Sequence, residues 1–542
     1  MPPDASIPAY MSFAVVKYLT PEIILIAVAT VIYVAGAMVR ARELWSYLGF
    51  TGILAAAYAL WTSPEATGGL GPVLADDLAN YVRWLSLVVG GLMVLMMSRF
   101  SFKAAASEMV GTLLMICAGL MLVASSGELV LMFLGLELVT FPTYLLLYLG
   151  RDDAHGQESA AKYFYLSILA AALMLYGFSF LYGVAGSTQL ADLAKVLGAQ
   201  RDLLSAADGP MAKSTAQQIA GLGLVFLFAG LGFKLTAVPF HFYAPDVYQG
   251  TTHPIAGLLS VAPKIAGVVA LLRIVGAAMP EMEPFAWRVV LILAVLTMTL
   301  GNVIALWQEN LRRMLAYSSI AHAGYLMVGL AAGFAAQGVA NSAEPAAIGL
   351  DGFGATLLYL AVYALATLGT FAALTYLGGA TLGDDAGEPI ENVEQLAGLA
   401  RRRPLAASAI AVFMFSLAGI PPLAGFWGKF SLFTSALAVD GGTEFPGLGN
   451  WFIALAVIGM LNAAIAAAYY LRIIATMYFK PLEKEPAGQG GPGASLAMTL
   501  CAMAVLVIGI MPGQLMTRSR EASAALKFKT PAPVATVAET GR

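Results

Sequence analysis

About fourteen apolar runs, each of roughly 20 residues and nearly free of charge, follow one another from Pro21 to Met511. Coiled as an α-helix, a run of that length spans the ~30 Å hydrocarbon layer of a bilayer. In lipid every backbone N–H and C=O must be satisfied within the protein, which leaves helices or a closed barrel. The runs lack the polar/apolar alternation over about ten residues that marks a barrel strand, so helices are the economical reading. Composition agrees: of 542 residues, 59% are hydrophobic and 11% charged, a balance unlike that of a soluble domain. The expected fold is an all-α polytopic membrane protein with no strand required anywhere.

The runs begin near residues 22, 45, 79, 108, 128, 160, 218, 252, 285, 314, 353, 404, 450 and 494. Short cytoplasmic loops are enriched in lysine and arginine. Arg40 and Arg42, Arg99 and Lys103, Arg151, Arg312 and Arg313, Arg401 to Arg403, and Lys480 with Lys484 all fall on odd-numbered connections. The even-numbered connections at 62–78, 335–352 and 438–449 carry none. The pattern predicts both termini on the outer, periplasmic side of an inner (cytoplasmic) membrane. Two longer segments depart from it, one with Lys195, Arg201 and Lys213, the other a tail with Arg518, Arg520, Lys527 and Lys529. The first residues lack a basic region leading to a cleavage site, so the first span is expected to be retained.

Several function classes are excluded. A net charge of -3, with the basic residues spread among short loops, offers no nucleic-acid surface. Cys117 and Cys501 are far apart in sequence and the histidines are scattered, so no disulfide framework, metal site or iron-sulfur ligand set is expected. Gly221 and Gly223 lie inside an apolar run and lack the strand-turn-helix setting of a phosphate loop. Any energy for transport must come from an ion gradient or from a partner.

An internal repeat shows in the helix breakers. Span seven contains Phe233-Lys234-Leu235-Thr236-Ala237-Val238-Pro239-Phe240-His241, and span twelve contains Ser416 through Gly425 with Pro421-Pro422 at its centre. Proline removes a donor and clashes with the preceding turn, so each span is expected to be discontinuous. Taking spans four to eight and nine to thirteen as two units, the broken helix is fourth of five in both. Five crossings are odd, so the second unit enters from the opposite face, giving two inverted five-helix repeats. The expected divisions are residues 1–104 for the first three helices, 105–278 and 279–480 for the two units, and 481–542 for the last helix and tail.

Charges inside the spans are the informative residues, because an isolated charge at a helix centre costs about 2.5–3.5 kcal/mol on insertion scales. Glu137 lies mid-span, Lys234 just before the first break, Lys264 near the middle of span eight, and Lys429 about two turns after the second break. Burial disfavours a charged lysine and a nearby carboxylate restores it, so moving the counter-ion switches the proton. A permanent ion pair that only pins helices is the alternative for each. Lys162 falls near the start of span six, where it either snorkels or functions. His241 and His322 are the histidines in apolar surroundings, and His322 shares a helical stripe with Ser318 and Tyr325, so both are possible secondary relay groups or hydrogen-bonded interior histidines. Asp246 and Tyr248 are expected to serve as a turn or cap after the broken helix.

The runs Leu134 to Glu137 continuing to Tyr144, Ala161 to Phe164, Phe233-Lys234 continuing through Asp246-Val247-Tyr248, Ser260 to Lys264, and Leu417 to Lys429 resemble the antiporter-like subunits of respiratory complex I, NADH:quinone oxidoreductase. The segments Leu181 to Thr188 and Gly398 to Pro404, with lysine rather than glutamate at 429, resemble the subunit N branch. The resemblance runs from about residue 20 to 515, and its Gly-Ile-Pro-Pro piece is shared with multisubunit cation/proton antiporters. It implies two half-channels joined by a polar axis along the membrane midplane. By that likeness Glu137 and Lys234 form a first charge pair, Lys162 modulates it, Lys264 connects the halves, and Lys429 faces the exit. The chain would then be a proton-translocating, non-redox module associated with other membrane subunits of complex I. NADH, FMN, iron-sulfur clusters and quinone would belong to other subunits. The alternative it leaves is a subunit of a multisubunit sodium/proton antiporter. The loop at 187–217 and the C-terminal tail look particular to this chain.

Overall fold

A computed structural model describes residues 13–39, 42–63, 68–98, 106–151, 153–205, 215–337, 349–378, 390–440, 446–481 and 490–526. Its helices are α1 (Phe13–Tyr18), α2 (Thr20–Gly36), α3 (Arg42–Trp61), α4 (Asp77–Met97), α5 (Ala106–Ser125), α6 (Leu129–Gly150), α7 (Ala154–Ala185), α8 (Leu190–Ser205), α9 (Thr215–Leu235) and α10 (Ala244–Gln249). They continue as α11 (His253–Leu271), α12 (Glu283–Leu306), α13 (Leu311–Gln337), α14 (Gly352–Gly378), α15 (Leu399–Arg402), α16 (Pro404–Ala418), α17 (Ala424–Leu437), α18 (Leu448–Phe479), α19 (Gly491–Ile510) and α20 (Gly513–Ala524). Among the described residues, 12 helices are long and apolar enough to cross a membrane, and α2 and α16 are shorter apolar helices. These account for every expected run.

Two local features differ from the sequence expectation. A short antiparallel hairpin, β1 (Gly68–Leu70) with β2 (Val73–Ala75), lies in the connection before α4, where no helix confines the backbone. And α7 begins six residues before its expected start near 160, because the Asp153 side chain caps it by accepting the Gly156 N–H at 2.8 Å. Its first two turns are too polar to read as membrane, which hid the start.

The two units repeat in their packing as well as their order. In each, the first two helices pack together, α5 on α6 and α12 on α13. The third packs on the broken helix, α7 on α9 and α14 on α16 and α17, and so does the fifth, α11 on α9 and α18 on α16. The units meet where α11 packs on α13 and α14, and these three are the helices most fully wrapped in protein. Side chains from odd-numbered connections gather on one face: Arg312 meets Glu391 at 2.5 Å and Arg313 meets Asp246 at 2.6 Å. On the opposite face Arg273, at the end of the fifth helix, holds Asp76 at 2.7 Å and the Ala124 carbonyl at 2.6 Å. Charges segregate this way when each helix crosses once.

Close backbone approach sets both first-pair crossings, since little but van der Waals packing draws helices together in lipid. At the α5–α6 crossing Gly119 and Gly135 face each other, and a Cβ on Gly135 would sit 3.0 Å from the Val123 nitrogen. At the α12–α13 crossing a Cβ on Gly301 would lie 2.7 Å from the Ala321 nitrogen and 2.9 Å from the Tyr317 carbonyl. Backbone cannot yield as a flexible side chain can. Gly301→Leu is therefore expected to force α12 from α13 and to lower the amount of assembled protein in membranes several-fold on immunoblots, whereas Gly183→Leu, with nothing within 4 Å of its Cβ position, leaves it unchanged.

Candidate functional site

The first helix break is where the sequence requires one. Helix α9 stops at Leu235, the segment 236–243 turns, with Thr236 at a left-handed φ of 58°, and α10 resumes at Ala244. The carbonyls released by the break find donors inside the protein. Gly232 accepts from the Ala237 N–H at 2.8 Å, and Phe233 from the Tyr243 hydroxyl at 3.0 Å. Lys234 occupies the last turn of α9, the end where a cation suits the helix dipole, and is 5% exposed. Its ammonium donates to the Thr140 hydroxyl and to the Leu136 carbonyl at 3.4 Å, and stands 3.8 Å from Glu137 Oε1. That oxygen is buried and accepts no hydrogen bond among the described residues. The pair is thus an ion contact without a locking hydrogen bond.

The second break is built differently. Helix α16 ends at Ala418, Gly419 takes a φ of 90°, and α17 starts at Ala424. Lys429 reaches back across the gap to donate to the carbonyls of Leu417 at 2.8 Å and Ala418 at 3.1 Å, both freed by the end of α16. Its ammonium also lies 4.7 Å from the centre of the Tyr325 ring, a cation–π distance. Among the described residues no carboxylate comes within ion-pair range of it. Lys234 precedes its break and turns its ammonium to α6, whereas Lys429 follows its own and bonds the broken end of α16.

Between the breaks runs a file of polar groups on the most deeply buried helices. The Cβ position of Gly267 on α11 lies 3.6 Å from Lys234 Cβ, and Lys264 is one turn away on the same helix, wholly buried. Lys264 donates to the Ser319 hydroxyl at 2.7 Å, a contact from the first unit into the second. Ser319 also receives the Tyr363 hydroxyl at 2.9 Å and meets that of Tyr248 at 3.2 Å. One turn further along α13, the His322 ring lies tilted against that of Tyr363, with centroids 4.9 Å apart. Its Nδ1 bonds the Tyr359 hydroxyl and its Nε2 bonds that of Tyr470 at 2.9 Å. Tyr470 is shared with Ser318, and the Tyr325 ring, beneath Lys429, is 5.8 Å from the His322 ring.

Glu137, Lys234, Lys264, His322 and Lys429 are therefore gathered by the fold, and the stripe of Ser318, His322 and Tyr325 lies within the file. Lys162 stands elsewhere: its side chain is 39% exposed and pairs with Glu158 at 2.7 Å and Asp246 at 2.8 Å, not with Glu137 or Lys234. His241 falls in the first break, half-buried, with Nδ1 unpartnered and no hydrogen bond into the file. Asp246 and Tyr248 do more than the expected turn or cap. They belong to α10, where Asp246 pairs with both Lys162 and Arg313. Partial burial pushes the Asp246 carboxyl up, but hydrogen bonds from those two cations outweigh it and hold it below the usual carboxylate range. The residues missed from sequence are Ser319, Tyr359, Tyr363 and Tyr470. Tyr359 and Tyr363, one helical turn apart in an apolar span, were the available signal.

Comparisons with known proteins identify the family and the fold. Residues 126–445 match the family described as NADH:quinone oxidoreductase/Mrp antiporter, TM. A relative from Trichlorobacter lovleyi, NADH-quinone oxidoreductase subunit N, is 35% identical over 93% of this chain and 96% of its own length. Another of the same name from Rhodospirillum rubrum is 34% identical over 94% and 97%. Among solved structures, a chain of respiratory complex I from Thermus thermophilus with bound aureothin superposes with a TM-score of 0.72 at 29% identity, covering 92% of this chain and 99% of that one. A chain of the Mrp complex from Dietzia sp. DQ12-45-1b shares the fold, with a TM-score of 0.73 at 20% identity, over 95% and 98% of the two chains. A file of buried lysines set between two broken helices, matched over nearly its whole length by subunit N relatives, places the chain: it belongs to the NADH:quinone oxidoreductase/Mrp antiporter family.

Proposed function

We propose that this chain moves protons across the inner membrane as a non-redox subunit of an NADH:quinone oxidoreductase complex, driven by electron transfer in other subunits. On this reading NADH, FMN, iron-sulfur clusters and quinone belong to those subunits, and both termini face the outer side. The observation that carries it is the buried line of polar side chains from Glu137 and Lys234, past Lys264, Ser319, Tyr363 and His322, to Lys429. Residues 105–278 and 279–480 form the two half-channels, and the file joins them.

Each group has a stated task. Lys234 carries a proton while Glu137 is near and gives it up as the carboxylate withdraws, since a desolvated ammonium depends on its counter-ion. Lys264 takes the proton next, with Ser319 as its neighbour. Hydroxyls both donate and accept, so Ser319 and the tyrosines accept a proton on one side as they release one on the other. His322 bonded at both ring nitrogens does the same between Tyr359 and Tyr470. Lys429 receives the proton beside Tyr325 and discharges it at the second break. Subunit N relatives over almost the whole chain, and the higher identity to the complex I chain than to the Mrp chain, favour this over sodium/proton antiport.

In purified complexes reconstituted in vesicles, Lys234→Ala is expected to cut proton movement per NADH oxidised ten-fold or more with normal assembly; normal pumping would refute the proposal. Exchange of sodium for choline is expected to leave pumping unchanged, and sodium-dependent antiport without NADH oxidation would support the alternative. A relay lysine and a structural one also differ in stability. Lys264 is buried without a carboxylate in ion-pair range among the described residues, so Lys264→Met removes an uncompensated charge. Thermal melting of the detergent-solubilised protein is expected to stay level or to rise by on the order of 1 kcal/mol, while pumping falls. A fall in both would mark Lys264 as structural.

A further inference from the structure

We propose that Lys162, Asp246 and Arg313 form a positioning clamp on α10 that sets the Ser319 hydroxyl for Lys264. This rests on the reading of Lys264 as a relay group and gives Lys162 a different task from the other lysines.

Helix α10 has only six residues, too few to hold its own shape or place. Its carboxylate Asp246 is gripped from both units at once: Lys162 on α7 binds Oδ2 at 2.8 Å, and Arg313 at the start of α13 binds Oδ1 at 2.6 Å. Ser159 on α7 donates to the Asp246 carbonyl at 3.1 Å, and Arg313 reaches Gln249 at 3.1 Å. Tyr248 follows Asp246 by two residues, which in a helix turns it to the opposite side. It is 1% exposed and meets Ser319 at 3.2 Å. Charge on the outer side of α10 and a hydroxyl on the inner side make it a short rigid link between the loop face and the file.

The exposure of these groups bears on their role. Side chains of Lys162, Asp246 and Arg313 are 39%, 38% and 32% exposed, and ion pairs that wet contribute little to folding. Their value is in geometry. Lys162 has two carboxylates, Asp246 and Glu158, bound to it and no bond into the file, which suits a fixed positive charge and not a carrier that must release its proton. Asp246, held below the usual carboxylate range, stays charged through the range in which NADH oxidation is assayed, so the clamp stays closed.

Arginine tests this directly, because a guanidinium stays protonated at any working pH. In vesicles with the assembled complex, Lys162→Arg is expected to keep at least half of the proton movement per NADH oxidised, and Lys162→Ala to lose five-fold or more. Asp246→Asn is expected to match Lys162→Ala, and the double variant to be no worse than either, the mark of one shared interaction. Tyr248→Phe is expected to lower pumping with assembly on native gels unchanged. Loss in Lys162→Arg as deep as in Lys162→Ala would overturn the proposal, since it would mean that the lysine must deprotonate. Normal pumping by Asp246→Asn would overturn it too, and if that variant does not assemble, the comparison of arginine with alanine at 162 decides alone. Normal pumping by Lys234→Ala in the same assay would instead refute the proton-translocation reading itself.

Discussion

A carbonyl released from a helix in hydrocarbon has no water to accept from, and both breaks in this chain meet that condition with donors supplied by the protein. At the first, Tyr243 and the local backbone take up the freed carbonyls of Phe233 and Gly232. At the second, the donor is Lys429 itself, bonded to Leu417 and Ala418. The group that satisfies the broken helix there is an ionisable side chain and not a backbone amide. The break is consequently satisfied only while the lysine is near, which fixes the Lys429 nitrogen at the end of α16.

Charge balance in the interior follows from the same constraint. Pairs that hold the scaffold are closed ones, such as Arg83 with Glu22, buried at 1% exposure each and joined by two hydrogen bonds of 2.6 Å. The file is built otherwise. Glu137 stands at ion-contact distance without a hydrogen bond, and Lys264 and Lys429 are held by a hydroxyl, carbonyls and a ring face. A buried charge with full compensation is stable and inert, whereas one with a weak partner responds to small movements of its surroundings. Bidentate scaffold ion pairs beside file lysines held mainly by neutral groups let one low-dielectric interior contain both.

The shared fold with the Mrp complex chain at 20% identity locates the chemistry in side chains and not in architecture. Two broken helices and a central wall of α11, α13 and α14 form a frame that many reactions can use. What the frame fixes is distance: the contact from Lys264 to Ser319 crosses between units because α11 of the first packs on α13 of the second. The ion cluster on the loop face, with Asp246 between Lys162 and Arg313, works at the same junction from outside the membrane core.

Apolar runs and mid-span prolines determined the fourteen apolar helices and the two breaks, because a 20-residue apolar run and a mid-span proline each admit few structures in lipid. The runs likewise exposed Glu137, Lys234, Lys264 and Lys429, since a charge in such a run stands out against its neighbours. Tyrosine and serine carry less contrast, so beyond the one-turn spacing of Tyr359 and Tyr363 the partners Ser319 and Tyr470 were not legible until α11, α13, α14 and α18 were set side by side. Position within a span left Lys162 open between surface and interior, because its partner Asp246 is 84 residues away in sequence. Which charges face one another depends on the rotation and packing of whole helices, and those are set by small-residue crossings, such as that of Gly301 of α12 against α13, that no local pattern specifies.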